Sequence, residues 1–222
     1  MIFLVSATIF LLTNLWQAQT LPTCDYQSRP TIHQDYGDWQ RTLLDPIYKL
    51  GDTYSPPDLI STTQVADVTD KQIRSLMAED LEALLSDAEQ NGTPLDLQSG
   101  YRSYTYQEST FEYWVELEGE AAALRSSARA GHSEHQLGTA VDFRSRGGPA
   151  PWNIDDWAET PAGAWLAENA HRYGFVMSYP KGMERLTCYI YEPWHYRYIG
   201  REGAAQHKES GLTLREWLWL QQ

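Results

Sequence analysis

Between Ser133 and Asp142 the chain places a histidine, His135, and an aspartate, Asp142, seven positions apart, with Gly138 between them. Both side chains can reach one metal ion if the chain turns at the glycine, and a glycine there lets backbone pass close to the site. Downstream, Glu192-Pro193-Trp194-His195 adds a second histidine with a carboxylate three residues earlier. Pro193 disfavours a continuous helix through this pair, so an extended or bulged segment is expected to carry it. Two imidazoles and one carboxylate, with a position left for water, are a recurring ligand set for catalytic zinc. Zinc lowers the pKa of a coordinated water towards about 7, and a carboxylate outside the ligand set can then move its proton to a leaving amine. Glu192 is the natural candidate for that carboxylate. Cys24 and Cys188 have no close thiol partner, which argues against a thiolate-rich metal site.

Positioning these groups requires elements that the sequence marks unevenly. Ile73, Leu76, Met77, Leu81, Leu84, Leu85 and Ala88 recur at helical spacing, with Thr69 and Gln72 placed as a capping box and Asn91-Gly92 as the stop. Leu95 to Ser99 alternates like a short strand. A second helix is expected from about Tyr104 to Arg125, with Phe111, Trp114 and Val115 facing inward. Thr139 to Phe143 reads as a strand, and Pro149 to Asp156 as a turn-rich insertion. Thr160-Pro161 supplies an N-cap and an N1 proline for a third helix that Gly174 ends. Phe175 to Tyr179 and Tyr189 to Ile199 are the remaining strand candidates. Thr213 with Glu216 caps a last amphipathic helix. Helices on a small, mainly antiparallel sheet give an α+β fold in a single domain.

Length and charge set the outer limits. The chain has 222 residues and a net charge of −13, which makes nucleic acid and anionic lipid unfavourable partners. Ile2 to Leu12 is almost wholly apolar and too short to span a bilayer comfortably, so residues 1–20 are read as a secretory signal or an N-terminal anchor. The first basic residue is Arg29, so the basic region expected of a signal is missing. Residues 21–62, rich in Pro, Asp, Tyr and Gly, read as an extended lead-in, and residues 63–222 as the catalytic domain. Export would permit Cys24 and Cys188 to pair, although their separation does not establish a bridge. A monomer with no stable membrane insertion beyond the N-terminal segment is the default expectation.

Four motifs occur in order: Ser99-Gly100-Tyr101-Arg102-Ser103 with Gln107, Gly131 through Asp142, Tyr173-Gly174-Phe175, and Glu192 through Tyr198. Together, over about residues 43–220, they resemble the VanY-type D-alanyl-D-alanine carboxypeptidase family of zinc peptidases. The resemblance implies the fold shared by hedgehog proteins and LAS-like D-Ala-D-Ala metallopeptidases. It also implies that His135, Asp142 and His195 hold one catalytic Zn2+ and that Glu192 is the base. Arg102 matches an arginine that contacts substrate and stabilises the developing oxyanion. Ser133 and Gln107 match positions that touch the substrate peptide or its terminal carboxylate. The implied reaction is hydrolysis before the C-terminal D-amino acid of a peptidoglycan stem peptide, outside the cytoplasm. An endopeptidase or a D,D-dipeptidase on the same scaffold is one alternative, and a catalytically silent, zinc-containing wall-binding module is another. Ala130 departs from the proline common at its position. Glu134, beside His135, reads as either a support for the ligands or a solvated group. His132 can line the cleft, Trp194 buttresses the site, and His33, His171 and His207 read as surface or structural residues.

Overall fold

The computed structural model describes residues 20–222; the apolar N-terminal run lies outside them. Its centre is an antiparallel four-stranded sheet of order β5-β6-β8-β7, formed by Leu95–Ser99 (β5), Ala140–Ser145 (β6), Phe175–Met177 (β7) and His195–Tyr198 (β8). Before it come two short pairings, Arg29–Pro30 (β1) with Tyr48–Lys49 (β2), and Leu59–Ser61 (β3) with Gln72–Arg74 (β4). Seven α-helices occur among the described residues: Ala78–Gln90 (α1), Tyr104–Glu118 (α2), Glu120–Ser126 (α3), Pro161–Asn169 (α4), Glu184–Thr187 (α5), Arg201–Ser210 (α6) and Leu214–Trp219 (α7). The α+β class and the small antiparallel sheet agree with the sequence expectation.

The two faces of the sheet differ in chemistry because successive strand residues point to opposite sides. Leu95 and Leu97, Val141 and Phe143, and Tyr196 and Tyr198 point to one side, where Leu81, Leu84, Leu85 and Ala88 of α1 and Leu166 of α4 complete the principal core. Each such buried leucine contributes roughly 1.5–3 kcal/mol. The alternate residues are polar: Asp96, Asp142 with Arg144, and His195 with Arg197. One sheet face therefore carries the principal core, and the other, apart from Ala140 and Val176, presents polar or charged side chains.

The lead-in does more than trail along the surface. Leu43, Leu44, Ile47 and Leu50 are buried, and Leu43 joins Ile199, Ala204, Leu214 and Leu218 in a second core cluster beneath α6 and α7. β3, from the lead-in, pairs with β4, from the expected catalytic segment. Cys24 and Cys188 form a disulfide that closes 164 residues of chain, resolving the alternative left open by the sequence.

Three expectations are corrected. The first helix begins at Ala78 rather than near Thr69, because tertiary partners claim the capping residues. Thr69 donates both its N–H and its hydroxyl to Asp96 at 2.7 Å, and Gln72 to Arg74 pair as a strand. The second helix breaks at Gly119, whose φ of +84° L-residues rarely adopt, and among α2 residues only Gln107 is buried. Phe111, Trp114 and Val115 are half-buried rather than core. The strand expected from Tyr189 to Ile199 is confined to His195–Tyr198, and α6 carried too weak an apolar stripe to be anticipated. The N-cap at Thr160, the left-handed stop at Gly174 and the capping box of Thr213 and Glu216 are all present.

Candidate active site

His135 sits in a 3-10 turn, Glu134–Leu137, that Ser133 caps by accepting the His135 N–H at 3.3 Å. Gly138 follows in the left-handed region, at φ +71°, and turns the chain into β6. A Cβ there would lie 2.9 Å from Arg74 Cγ and 3.1 Å from Leu59 Cδ2. The glycine thus permits both the turn and the close packing of β3 and β4 behind it. Four residues later Asp142 emerges on the polar sheet face, directly opposite His195 in the β6–β8 ladder. Glu192 stands just before that strand, in a turn closed by His195 N–H donating to the Glu192 carbonyl at 3.1 Å. This is the non-helical setting that Pro193 required.

His135, Asp142 and His195 are all buried, and one candidate ligand atom from each lies within 4.8 Å of the others. His135 Nδ1 donates to the Gly100 carbonyl at 2.7 Å, which fixes the tautomer and turns the Nε2 lone pair inward. Nε2 is 3.3 Å from Asp142 Oδ2, yet it is buried with no hydrogen-bond partner. His195 is oriented the same way from its other side: Nε2 meets Glu134 Oε2 at 3.0 Å, and Nδ1 faces Asp142 Oδ1 at 2.9 Å. An orphaned imidazole nitrogen, a carboxylate and a second anchored imidazole converging on one point fit a zinc-sized cation of N/O preference.

Glu134 anchors this arrangement. It is 3% exposed, accepts from Ser178 Oγ at 2.6 Å, and pairs with Arg197 Nη1 at 3.0 Å. Burial raises its pKa, but the His195 hydrogen bond and the Arg197 charge outweigh that and carry it down to about 2. For His195, burial lowers the pKa, and the hydrogen bonds to Asp142 and Glu134 overcome it and lift it to about 10. Burial, reinforced by Arg102, pushes His135 down to about 4. Burial opposes ionisation of Asp142 too, but His135 and His195 hold it well below the usual carboxylate range. Of the two readings of Glu134, the structure selects the ligand support.

Glu192 and Arg102 face the same cleft, a cavity of about 980 Å³ that also contains the three candidate ligands and Ser133. Glu192 Oε2 is 3.9 Å from His195 Nδ1, and burial pushes its pKa up to about 8, with Asp142 adding to the rise. Arg102 Nη1 is 3.8 Å from Asp142 Oδ2 and donates to Ser99 Oγ at 3.2 Å, while its buried Nε has no partner. Gln107 stands apart: it is fully buried, does not line the cleft, and donates from Nε2 to the Ala128 carbonyl at 2.6 Å. His132 is also outside the cleft, with Nδ1 on the Asp45 carbonyl at 2.7 Å and Nε2 3.3 Å from Ser28 Oγ.

Two participants escaped the sequence reading. Arg197 was detectable in principle, since it lies two positions after His195 and so shares its strand face. Tyr179 lines the cleft and packs its ring 4.9 Å from that of His195, centroid to centroid. No local pattern singled it out from the other tyrosines.

Comparison with known proteins places this geometry in a family. Residues 70–201 match the family model described as VanY, D-alanyl-D-alanine carboxypeptidase. The putative carboxypeptidase YodJ of Bacillus subtilis (strain 168) is 37% identical over 79% of this chain and 65% of its own length. A D-alanyl-D-alanine carboxypeptidase of Enterococcus faecium is 32% identical over 64% of this chain and 42% of its own length. The chain thus spans less than two thirds of each of these curated relatives. Among solved structures, the LdcB LD-carboxypeptidase superposes with a TM-score of 0.68 at 36% identity, covering 79% of this chain and 83% of that one. A mutant of the vancomycin-resistance D,D-pentapeptidase VanY, in complex with Zn(II), gives a TM-score of 0.67 at 30% identity over 81% of this chain and 99% of that one. On the extent of that match, more than half of its length, the chain belongs to the VanY D-alanyl-D-alanine carboxypeptidase family.

Proposed function

We propose that this protein is a zinc-dependent carboxypeptidase that removes the C-terminal D-amino acid from peptidoglycan stem peptides outside the cytoplasm. The observation that carries the reading is the buried His135–Asp142–His195 cluster, with both imidazoles anchored from behind and Glu192 and Arg102 facing the same cleft. The three clustered residues would hold one zinc ion, a reading supported by the VanY relative's having been solved in complex with Zn(II). When bound, that ion supplies Lewis acidity, which makes water more acidic and stabilises negative charge on a carbonyl oxygen.

The protein's own groups do the rest. Glu192, with a pKa kept high by burial, takes a proton from the attacking water and returns it to the departing amine. Arg102 brings positive charge to the developing oxyanion from a site already desolvated by the cleft wall. Ser133, which lines the same cleft, would contact the substrate's terminal residue. Gln107, held behind Ala128, acts on substrate through the wall it braces. A non-catalytic zinc module has no need for a base and an arginine converging on the open side of the cluster.

The disulfide suits an oxidising compartment, and no helix among the described residues is long and apolar enough to cross a membrane. We take the protein to act as a monomer. The deciding assay incubates zinc-loaded protein with stem tetrapeptide, stem pentapeptide, cross-linked dimer and free D-Ala-D-Ala, and weighs the products. Release of one D-alanine from a stem peptide is expected. Cleavage of only the cross-linked dimer or only the dipeptide would replace the reading with an endopeptidase or a dipeptidase.

A further inference from the structure

The cleft extends well beyond the reacting groups, along a wall that the mechanism does not use. Residues 106, 110, 113 and 117 of α2 recur at helical spacing and line it, so one stripe of the helix faces the cleft. Tyr106, Tyr113 and Leu117 on that stripe are 64%, 58% and 62% exposed, and Trp152 across the groove is 41% exposed. Exposed large apolar side chains gathered along one groove mark a binding surface rather than random scatter. The aromatics form a connected series from the catalytic turn outwards. Trp194 contacts Trp152 at 6.0 Å between centroids, Trp152 contacts Trp114 at 6.5 Å, and Trp114 contacts Tyr113 at 5.3 Å, all nearly edge to face. That series reaches at most about five residues of extended peptide, at roughly 3.3–3.6 Å each.

We propose that this aromatic wall is a subsite for the neutral, N-acetylated sugar to which a stem peptide is joined; the proposal rests on the carboxypeptidase reading above. Three properties select this occupant. The wall is continuous with the catalytic cleft, so its ligand is the upstream end of whatever places its C-terminus at His135 and His195. Among the described residues Arg102 is the only arginine or lysine lining the cleft, and it sits against Asp142 at the catalytic end, whereas Glu118 lines the outer end, so an anionic polymer is repelled there. An N-acetylmuramyl group whose lactyl carboxyl is consumed in the peptide amide carries no charge. Finally, Ser109, Thr110 and Asn153 alternate with the rings. A pyranose offers the matching combination of an apolar C–H face and a hydroxyl rim, and mostly apolar walls with a few placed polar groups are what such sites require.

The test compares kcat/KM of the zinc-loaded full chain on a stem peptide and on the same peptide carrying N-acetylmuramic acid. Wild-type protein is expected to prefer the sugar-bearing substrate by roughly tenfold, the scale of one or two aromatic contacts. Trp152→Ala and Tyr113→Ala should bring that ratio close to one. Equal rates on the two substrates in wild type, or equal losses on both in the variants, would overturn the subsite. Quenching of tryptophan fluorescence by the N-acetylglucosamine–N-acetylmuramic acid disaccharide, its lactyl carboxyl capped as an amide, gives a readout independent of turnover. Sugar binding that depends on Trp152, in a protein that cleaves neither peptide, would keep the subsite and reject the carboxypeptidase reading. Active enzyme that ignores the sugar in both rate and fluorescence would do the reverse. Self-association abolished by Tyr113→Ala would assign the wall to a second copy of the chain and overturn the proposal.

Discussion

Replacing Glu134 by alanine removes the common partner of His195 and Arg197, and the consequences can be worked out from their surroundings. Arg197 is fully buried; without Glu134 its guanidinium keeps only the carbonyls of Trp39, at 2.5 Å, and Thr42, at 3.2 Å. Breaking a buried pair from one side costs about 3–5 kcal/mol, because a charge is left uncompensated. The depressed pKa gives a consistent scale: a fall from the ordinary 4.5 to about 2 corresponds to about 3 kcal/mol. Since the folded pKa lies below the unfolded one, this stability is present above about pH 4.5 and is lost as pH falls through about 2. Urea unfolding of metal-free protein should therefore show Glu134→Ala less stable by about 3–5 kcal/mol at pH 7, with a smaller gap near pH 3. Competition with a chelator should show metal affinity reduced by about 10- to 100-fold, because His195 loses the acceptor that fixes its ring. Glu134→Gln, which keeps an acceptor for His195 but loses the charge, should retain more metal affinity than stability. A metal-free Glu134→Ala protein within about 1 kcal/mol of wild type, with unchanged metal affinity, would refute the assignment of Glu134 as the anchor of the site.

Other consequences are as direct. Glu192→Gln should bind metal normally and lose about 10²- to 10⁴-fold in kcat, since only the proton carrier is removed; substantial residual turnover would exclude it as the base. The pKa of His195 in the metal-free site is raised from 6.5 to about 10, so metal must displace its proton. Calorimetry in buffers of different ionisation enthalpy should report release of at least one proton near pH 8, and buffer-independent heats would contradict the protonated His195. By the same shift, the stability His195 lends the metal-free protein is complete below about pH 6.5 and is lost as pH rises through about 10. Removing the disulfide with Cys24→Ser and Cys188→Ser should lower stability by about 2–4 kcal/mol in denaturant titrations. If reductant leaves the wild-type midpoint unmoved, the bridge has no such role.

The candidate ligands were legible in the sequence because their chemistry is rare and their spacing short. His135, Gly138 and Asp142 form a local unit whose turn and strand can be anticipated without the rest of the fold. Pro193 likewise announced that Glu192 and His195 would not share a helix. The failures lie where a distant partner overrides a local pattern. Thr69 and Gln72 have the form of a capping box, yet Asp96 and β3 offered stronger partners. Trp114 and its neighbours look like the inward face of a helix, and an apolar side chain bordering a cleft carries the same signature as one buried in a core. The Cys24–Cys188 bridge joins residues brought together only by the completed fold, at a Cα separation of 5.3 Å. Glu134 was ambiguous for a related reason: it lies in a turn, and its partner Arg197 comes from β8, far along the chain.

The pairing of Asp142 with His195 across the β6–β8 ladder separates two kinds of freedom in the chain. His135 and Asp142 are joined by one 3-10 turn and one left-handed glycine, so a single inserted or deleted residue between them would rotate one ligand off the site. Asp142 and His195 are 53 residues apart, but strand register rather than intervening chain fixes their distance. The connection containing α4 and α5 can lengthen or shorten without moving either ligand, provided β8 returns in the same register. Length variation among relatives is thus expected to accumulate between the two strands, where loops shape the cleft and select substrates, and to be absent from the eight residues that begin at His135.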